Sequence, residues 1–267
     1  MPSRMLLPML REIVPSGLSY GAHYAVEFDA DSLWYETSIS IAANALRSGV
    51  KVDYHTFQHD PDKVREDIAG LGLKLRPLEQ DKAFRIMDTY AAATGAFHDP
   101  ERTEETGPGG SFWAGSVKVS DWSLGNVHDI KGEVPEASKK RLHVDDNTSL
   151  LLRYNEEKEL IDYWRTRVVP WAVALDIAMF HSFAAGVASD AFYKHIESLC
   201  DGIFDLKSKE EGGRVEHYLR VRTIRGKGHD SRWRRLKMAD NGEVTLGTVP
   251  LNAPELGIGG WLKGPKK

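Results

Sequence analysis

Basic side chains are concentrated in one stretch of this sequence. Arg214, Arg220, Arg222, Arg225, Lys227, Arg232, Arg234, Arg235 and Lys237 lie close together, opposed there by Glu216 and Asp230. Guanidinium groups at that density can solvate edge strands and deter unwanted pairing, meet an acidic patch on a neighbouring subunit, or hold a polyanion such as nucleic acid. The formal net charge of -4 weighs against the last of these. Asp145 and Asp146 form a second candidate group, closing the apolar run Leu142-His143-Val144; His143 itself reads as a hydrogen-bonded core residue. His55 and His59 invite a metal pair, but no third ligand lies near them. Cys200 stands alone, which excludes an internal disulfide, and its apolar context reads as a buried thiol.

Alternating strands and helices must position these groups. Tyr24–Phe28 reads as a strand and Glu36–Arg47 as a helix whose Ile39, Ala42, Ala43 and Leu46 share a face, stopped by Gly49. Val50–Phe57 is a second strand, and Asp60-Pro61 opens a helix that Gly72 closes. Phe84–Tyr90 is a third strand, followed by a surface loop over Thr94–Gly115. Beyond the strand that ends at Asp145, Asn155 caps a helix bearing Ile161, Trp164 and Val168. The apolar run Ala172–Phe180 is expected as a strand buried on both faces, with Trp171 in the core, and Ser189 caps the next helix. Glycine-rich turns and Asn241-Gly242 then separate short strands, Ile203–Leu206, Val215–Val221, Trp233–Met238 and Glu243–Leu246. These are the parts of an α/β fold, a mostly parallel sheet with an antiparallel C-terminal edge. One domain over residues 1–247 and a loose tail over 248–267 are expected. The run Met5–Leu10 is too short for a membrane span and is broken by Pro8, so a cytoplasmic protein is expected.

The order of these parts resembles the KaiC-like ATPases of the RecA superfamily over roughly residues 7–247. Ile13-Val14-Pro15-Ser16-Gly17 through Gly21, Phe57-Gln58-His59, Val144-Asp145-Asp146-Asn147-Thr148, Leu199-Cys200-Asp201-Gly202-Ile203 and Arg220 through His229 carry the resemblance. It implies a RecA-type fold, ATP and Mg²⁺ as cofactors, and a tendency to oligomerise. It also implies that Asp145 corresponds to the acid that holds the Mg²⁺ water shell. Gln58 and His59 stand where paired glutamates would activate water, and Arg225 where a cation reaches nucleotide on the next subunit.

The phosphate loop departs from that family. A loop of the form GxxxxGK[ST] needs glycines to bring backbone N–H groups around phosphate, a lysine against the β and γ charges, and a hydroxyl on Mg²⁺. The corresponding residues here are Ala30, Asp31, Ser32, Leu33, Trp34, Tyr35, Glu36 and Thr37, of which only Thr37 conforms. Replacing a cation by Glu36 exchanges attraction for repulsion, on the order of 4 kcal/mol for each charge contact at ~4 Å in an effective dielectric near 20. No cofactor and no metal are therefore expected, with Thr37 and Asp145 as the residual cation ligands. Gln58 and His59 are expected to be degenerate, and Trp34 and Tyr35 to fill the nucleotide's space. The expected protein is a non-catalytic relative with a regulatory, signalling or scaffolding role. It would be a homo-oligomer or partner an active KaiC-like ATPase, using Arg220, Arg222, Arg225, Lys227, His229 and Arg234 as contact residues. A working ATPase with an unusual loop and a DNA-binding accessory protein are the alternatives.

Overall fold

Short apolar runs broken by glycine fold here into alternating strands and helices. The structure, a computed structural model, describes residues 4–88, 139–153 and 156–247. The first elements are a two-stranded ribbon, β1 (Arg4–Met5) and β2 (Leu18–Ser19), and then the first long strand, β3 (His23–Phe28). Helix α1 (Trp34–Arg47) follows, then β4 (Lys51–Thr56), α2 (Pro61–Gly70), α3 (Leu75–Gln80) and β5 (Phe84–Asp88). Pro61 occupies the first turn of α2, where a missing N–H costs nothing, and the Asp60 carboxylate caps that helix through the N–H of Asp62. The predicted loop over Thr94–Gly115, Trp113, Trp122, Asn155 and the tail from 248 lie outside the described residues.

The chain resumes with β6 (Arg141–Asp145) and then α4 (Glu157–Tyr163), a π turn over Trp164–Val168, and α5 (Val169–Leu175). The π turn has a local cause. Pro170 lacks an N–H and its ring crowds the carbonyl one turn earlier, so the ladder widens and Val169 N–H reaches Trp164 O. The expectation of a strand over Ala172–Phe180 is corrected here. Ala172–Leu175 is helical, Asp176 ends the helix in the left-handed region (φ 53°), and the strand β7 runs later, Ala178–Ala184. A continuous apolar run does not by itself distinguish a buried helix from a buried strand. Trp171 accordingly sits half-buried on α5 against the core.

Helix α6 (Asp190–Leu199) is capped by Ser189 as expected, the hydroxyl accepting the Phe192 N–H at 3.1 Å. Strands β8 (Gly202–Glu211) and β9 (Arg214–Ile224) form a hairpin longer than its apolar segments suggest, because the charged outer halves keep pairing. Gly212 and Gly213 both have positive φ, 59° and 76°, as the tight turn between them requires. Strands β10 (Arg234–Met238) and β11 (Val244–Leu246) complete the edge.

Among the described residues these strands make one nine-stranded sheet in the order β11-β10-β9-β8-β3-β7-β6-β4-β5. Pairing is parallel from β8 through β5 and antiparallel from β8 to β11. Side chains alternate between the two faces. Tyr24, Val26, Val52, Tyr54, Leu142, Val144 and Phe180 join Ile39, Ala42 and Leu46 of α1 and Val64 and Ile68 of α2 in one core. Ala25, Phe57, Met179 and Phe183 join Leu160, Trp164, Val168, Leu175 and Ile196 in the other. The sheet thus lies between α1–α3 and α4–α6.

Candidate functional site

The junction between β3 and α1 is a tight turn. Asp29 N–H still pairs with Leu206 O, Ser32 N–H closes on Asp29 O at 2.9 Å, and the helix has begun by Trp34. Ala30 and Asp31 are exposed; Ser32, Leu33, Tyr35 and Glu36 are half-buried. Among the residues from 29 to 37 none has positive φ. Trp34 is only 2% exposed and stacks on Phe28 at 6.2 Å between centroids, so its ring is part of the α1-side core. Tyr35 leans the other way, its hydroxyl donating to Asp67 Oδ2 at 2.7 Å and its ring stacked on His59 at 3.7 Å. Burial, then Asp67, push that phenol well above its ordinary pKa. The Asp31 carboxylate accepts from the Ser208 hydroxyl, and Asp29 Oδ2 from Ser208 N–H at 3.2 Å. Three buried polar atoms here have no protein partner: Ser32 Oγ, Trp34 Nε1 and Thr37 Oγ1.

The end of β4 is organised by Asp146. Its carboxylate accepts from the N–H groups of Phe57 (2.7 Å) and Gln58 (3.2 Å) and from Thr56 Oγ1 (3.0 Å), and it faces His59 Nδ1 at 2.9 Å. His59 is thereby pinned between an acid and the Tyr35 ring, while Gln58 is exposed. His55 belongs to a different place: it is 1% exposed and packs against Phe57 and His143 on the α4–α6 face.

Asp145 faces that same side. It alternates with Val144, which packs toward α1, and so points away from the β3–α1 turn. One oxygen accepts from Ser182 N–H (2.9 Å), the Ser182 hydroxyl and Thr148 N–H (3.3 Å), and the other from the Thr148 hydroxyl. Thr37 is not among its partners. His181 Nδ1 lies 3.5 Å from Asp145 Oδ2, and the remaining His181 nitrogen shares a 3.3 Å hydrogen bond with His23 Nδ1. Burial raises Asp145 to about 6 against the pull of His143 and its hydroxyl donors. Burial likewise lowers His23 and His181 to about 3 and His143 to about 4, and His55 well below its ordinary value. All four imidazoles are neutral at pH 7.

The sheet face that carries these histidines also carries the inner arginines. Arg85 grips Asp53 through two 2.7 Å bonds, and fully buried Arg141 adds a third at 2.8 Å while donating to Lys82 O and Val52 O. These two cations hold the Asp53 carboxyl below its ordinary range although burial opposes it. Across the sheet, Arg222 bonds Asp205, Glu27 and Glu197, and Arg220 bonds Asp205 at 2.6 Å while lying 4.5 Å over the Trp233 ring. Arg234 pairs with Asp230 and Glu12, and Lys227 donates to Gly17 O at 2.8 Å. Arg220, Arg222 and Arg234, expected as contact residues, are half-buried and paired with acids of their own chain. Of the predicted contact residues, exposed Arg225 donates through its side chain to the Ser198 carbonyl, and His229 bonds the Lys227 carbonyl.

The family model described as ATPase: KaiC matches residues 40–247, well over half of the chain. This chain belongs to the KaiC ATPase-domain family. A UPF0273 protein of Thermotoga maritima is 22% identical over 203 residues, covering 75% of this chain and 77% of that protein. Two solved structures share the fold. A KaiC-like protein of Pyrococcus horikoshii superposes with a TM-score of 0.66 at 13% identity, over 93% of this chain and all of that one. The flagellar accessory protein FlaH of Methanocaldococcus jannaschii does so with a TM-score of 0.65 at 10% identity, again over 93% and 100%. The Cys200-Asp201-Gly202 segment joins α6 to β8. Asp201 Oδ2 accepts His23 N–H at 3.0 Å, Asp201 N–H reaches His23 O, and Asp201 O accepts Arg225 N–H. Gly202 lets β8 close on β3, since a Cβ there would come within 2.8 Å of the Tyr24 ring. The buried thiol beside it, Cys200, is pushed far above its ordinary pKa by burial. Among the described residues, no helix is long and apolar enough to cross a membrane.

Proposed function

We propose that this KaiC-family chain is a pseudo-ATPase, acting through protein contacts as a regulatory or scaffolding subunit rather than by nucleotide hydrolysis. The observation that carries this reading is the start of α1. Where the family needs bare backbone and a lysine, this chain has a buried indole, a tyrosine held by Asp67 and His59, and Glu36. Like-charged Glu36 at the helix N-terminus opposes the anion that such a terminus attracts. The second support is the orientation of Asp145, whose oxygens are engaged by Ser182 and Thr148 on the far face of the sheet. These residues do not fit Mg-ATP. The family match also begins at residue 40, just past this turn. Assembly with copies of itself or with an active relative would use Arg225, exposed Asp31 and half-buried Glu36.

Isothermal titration with Mg-ATP tests the proposal: no heat of binding is expected, and sub-millimolar affinity would overturn it. One observation favours a second reading, an unusual nucleotide site. Ser32 Oγ, Trp34 Nε1 and Thr37 Oγ1 are buried without partners, and a bound ligand would satisfy them. That reading expects Mg-dependent phosphate release that disappears in Thr37→Val.

A further inference from the structure

The strand order brings three metal-binding side chains together behind the sheet. His143 and Asp145 lie two residues apart on one face of β6, and His181 lies on the same face of the adjacent strand β7. One donor atom from each lies within 4.8 Å of the other two, and the three residues are 1–2% exposed. We propose that His143, Asp145 and His181 bind a divalent transition-metal ion of the zinc class through three protein ligands.

Donor chemistry selects the metal. Two imidazole nitrogens and one carboxylate suit zinc and its first-row neighbours, whereas magnesium and calcium prefer shells of oxygen. The 3.5 Å between His181 Nδ1 and Asp145 Oδ2 is too long for a good hydrogen bond, but it matches the spacing of two ligands on one ion with bonds near 2.0–2.2 Å.

The surrounding bonds are those a metal site uses. A ligating histidine passes its second N–H to an acceptor, and ligating carboxylates are themselves hydrogen-bonded. Here His181 Nε2 meets His23 Nδ1 at 3.3 Å, while Asp145 is held by Thr148 and Ser182. The proton between His23 and His181 has two possible owners. If His181 Nε2 keeps it, a bare Nδ1 lone pair faces the Asp145 carboxylate across 3.5 Å, which is repulsive unless a cation lies between. If His23 keeps it, buried His23 Nε2 is left as an acceptor, with the Val169 backbone as the ring's other polar neighbour. A cation turns the first arrangement from conflict into coordination. The Trp164 ring, edge-on to His181 at 5.0 Å, and the helix carrying the π turn close the site from solvent. The ion would therefore enter during folding and cross-link β6 to β7.

The test uses the whole chain. Protein unfolded with a chelator is refolded without metal, with Zn²⁺, with Co²⁺ or with Mg²⁺. Thermal midpoints are then recorded, together with the visible spectrum of the Co²⁺ sample. The proposal expects one tightly held Zn²⁺ per chain, a midpoint raised by several degrees by Zn²⁺ but not by Mg²⁺, and Co²⁺ absorption bands of a low-symmetry nitrogen–oxygen site. His143→Gln and His181→Gln should each lose those bands. If either variant fails to fold, the wild-type midpoint shift and bands still decide. No Zn²⁺-dependent shift, or bands unchanged in folded variants because the ion sits elsewhere, overturns the assignment. The outcome is independent of the Mg-ATP titration.

Discussion

The two faces of the sheet treat polar chemistry in opposite ways. Toward α1, Trp34 packs into the core beside Phe28, and the buried hydroxyls of Ser32 and Thr37 go unpaired. Toward α4–α6, histidines, acids and arginines are buried in greater number, and most of them are bonded to one another. Burial alone does not mark a site. What separates the faces is whether the buried groups are organised around a common centre. By that measure the far side is the organised one.

The comparison can be broken most forcefully at Asp53. Replacing it by alanine leaves fully buried Arg141 without its counter-charge, and urea unfolding should show a loss of about 3–5 kcal/mol. A loss under about 1 kcal/mol would mean that the far face is not held by pairing. On the near face, Trp34→Ala should cost about 3 kcal/mol through the cavity it opens. The same variant sharpens the functional proposal, because enlarged space with Glu36 still present should not bring Mg-ATP binding. A graded effect is expected from pH in the presence of a chelator. The buried histidines have folded pKa values of about 3–4, below the unfolded value near 6.5. The unfolded chain then binds more protons, and stability falls as pH drops from about 6.5 toward 4. Asp145, raised to about 6, works in the opposite direction: between about pH 4 and 6 the folded state holds its proton, and stability falls as pH rises. A urea midpoint that is flat from pH 7 to 5 would show that the histidines are hydrated.

Much of the fold was legible from local signals. Glycines with positive φ at Gly49, Gly72 and Gly242, the caps Asp60 and Ser189, and alternating apolar residues marked where elements begin and end. The residues at the start of α1 were equally legible, being a matter of residue identity at consecutive positions. The metal-binding trio was not. His143 reads locally as a hydrogen-bonded core histidine, and His181 lies just past the apolar run Ala172–Phe180, outside the strand predicted there. The recurrence of histidine within strands, at His23, His55, His143 and His181, was the one signal that could have drawn attention to them.

The sequence by itself determined the order of elements, the family and the identity of the residues at the start of α1, because each depends on neighbours along the chain. Tertiary structure decided that Asp145 faces His181 rather than Thr37, and that Arg220 and Arg222 turn inward onto Asp205. Those outcomes depend on which strands pair, in what register and with which face toward which helices. Such relations are set by packing between segments distant in the chain, and no local pattern encodes them.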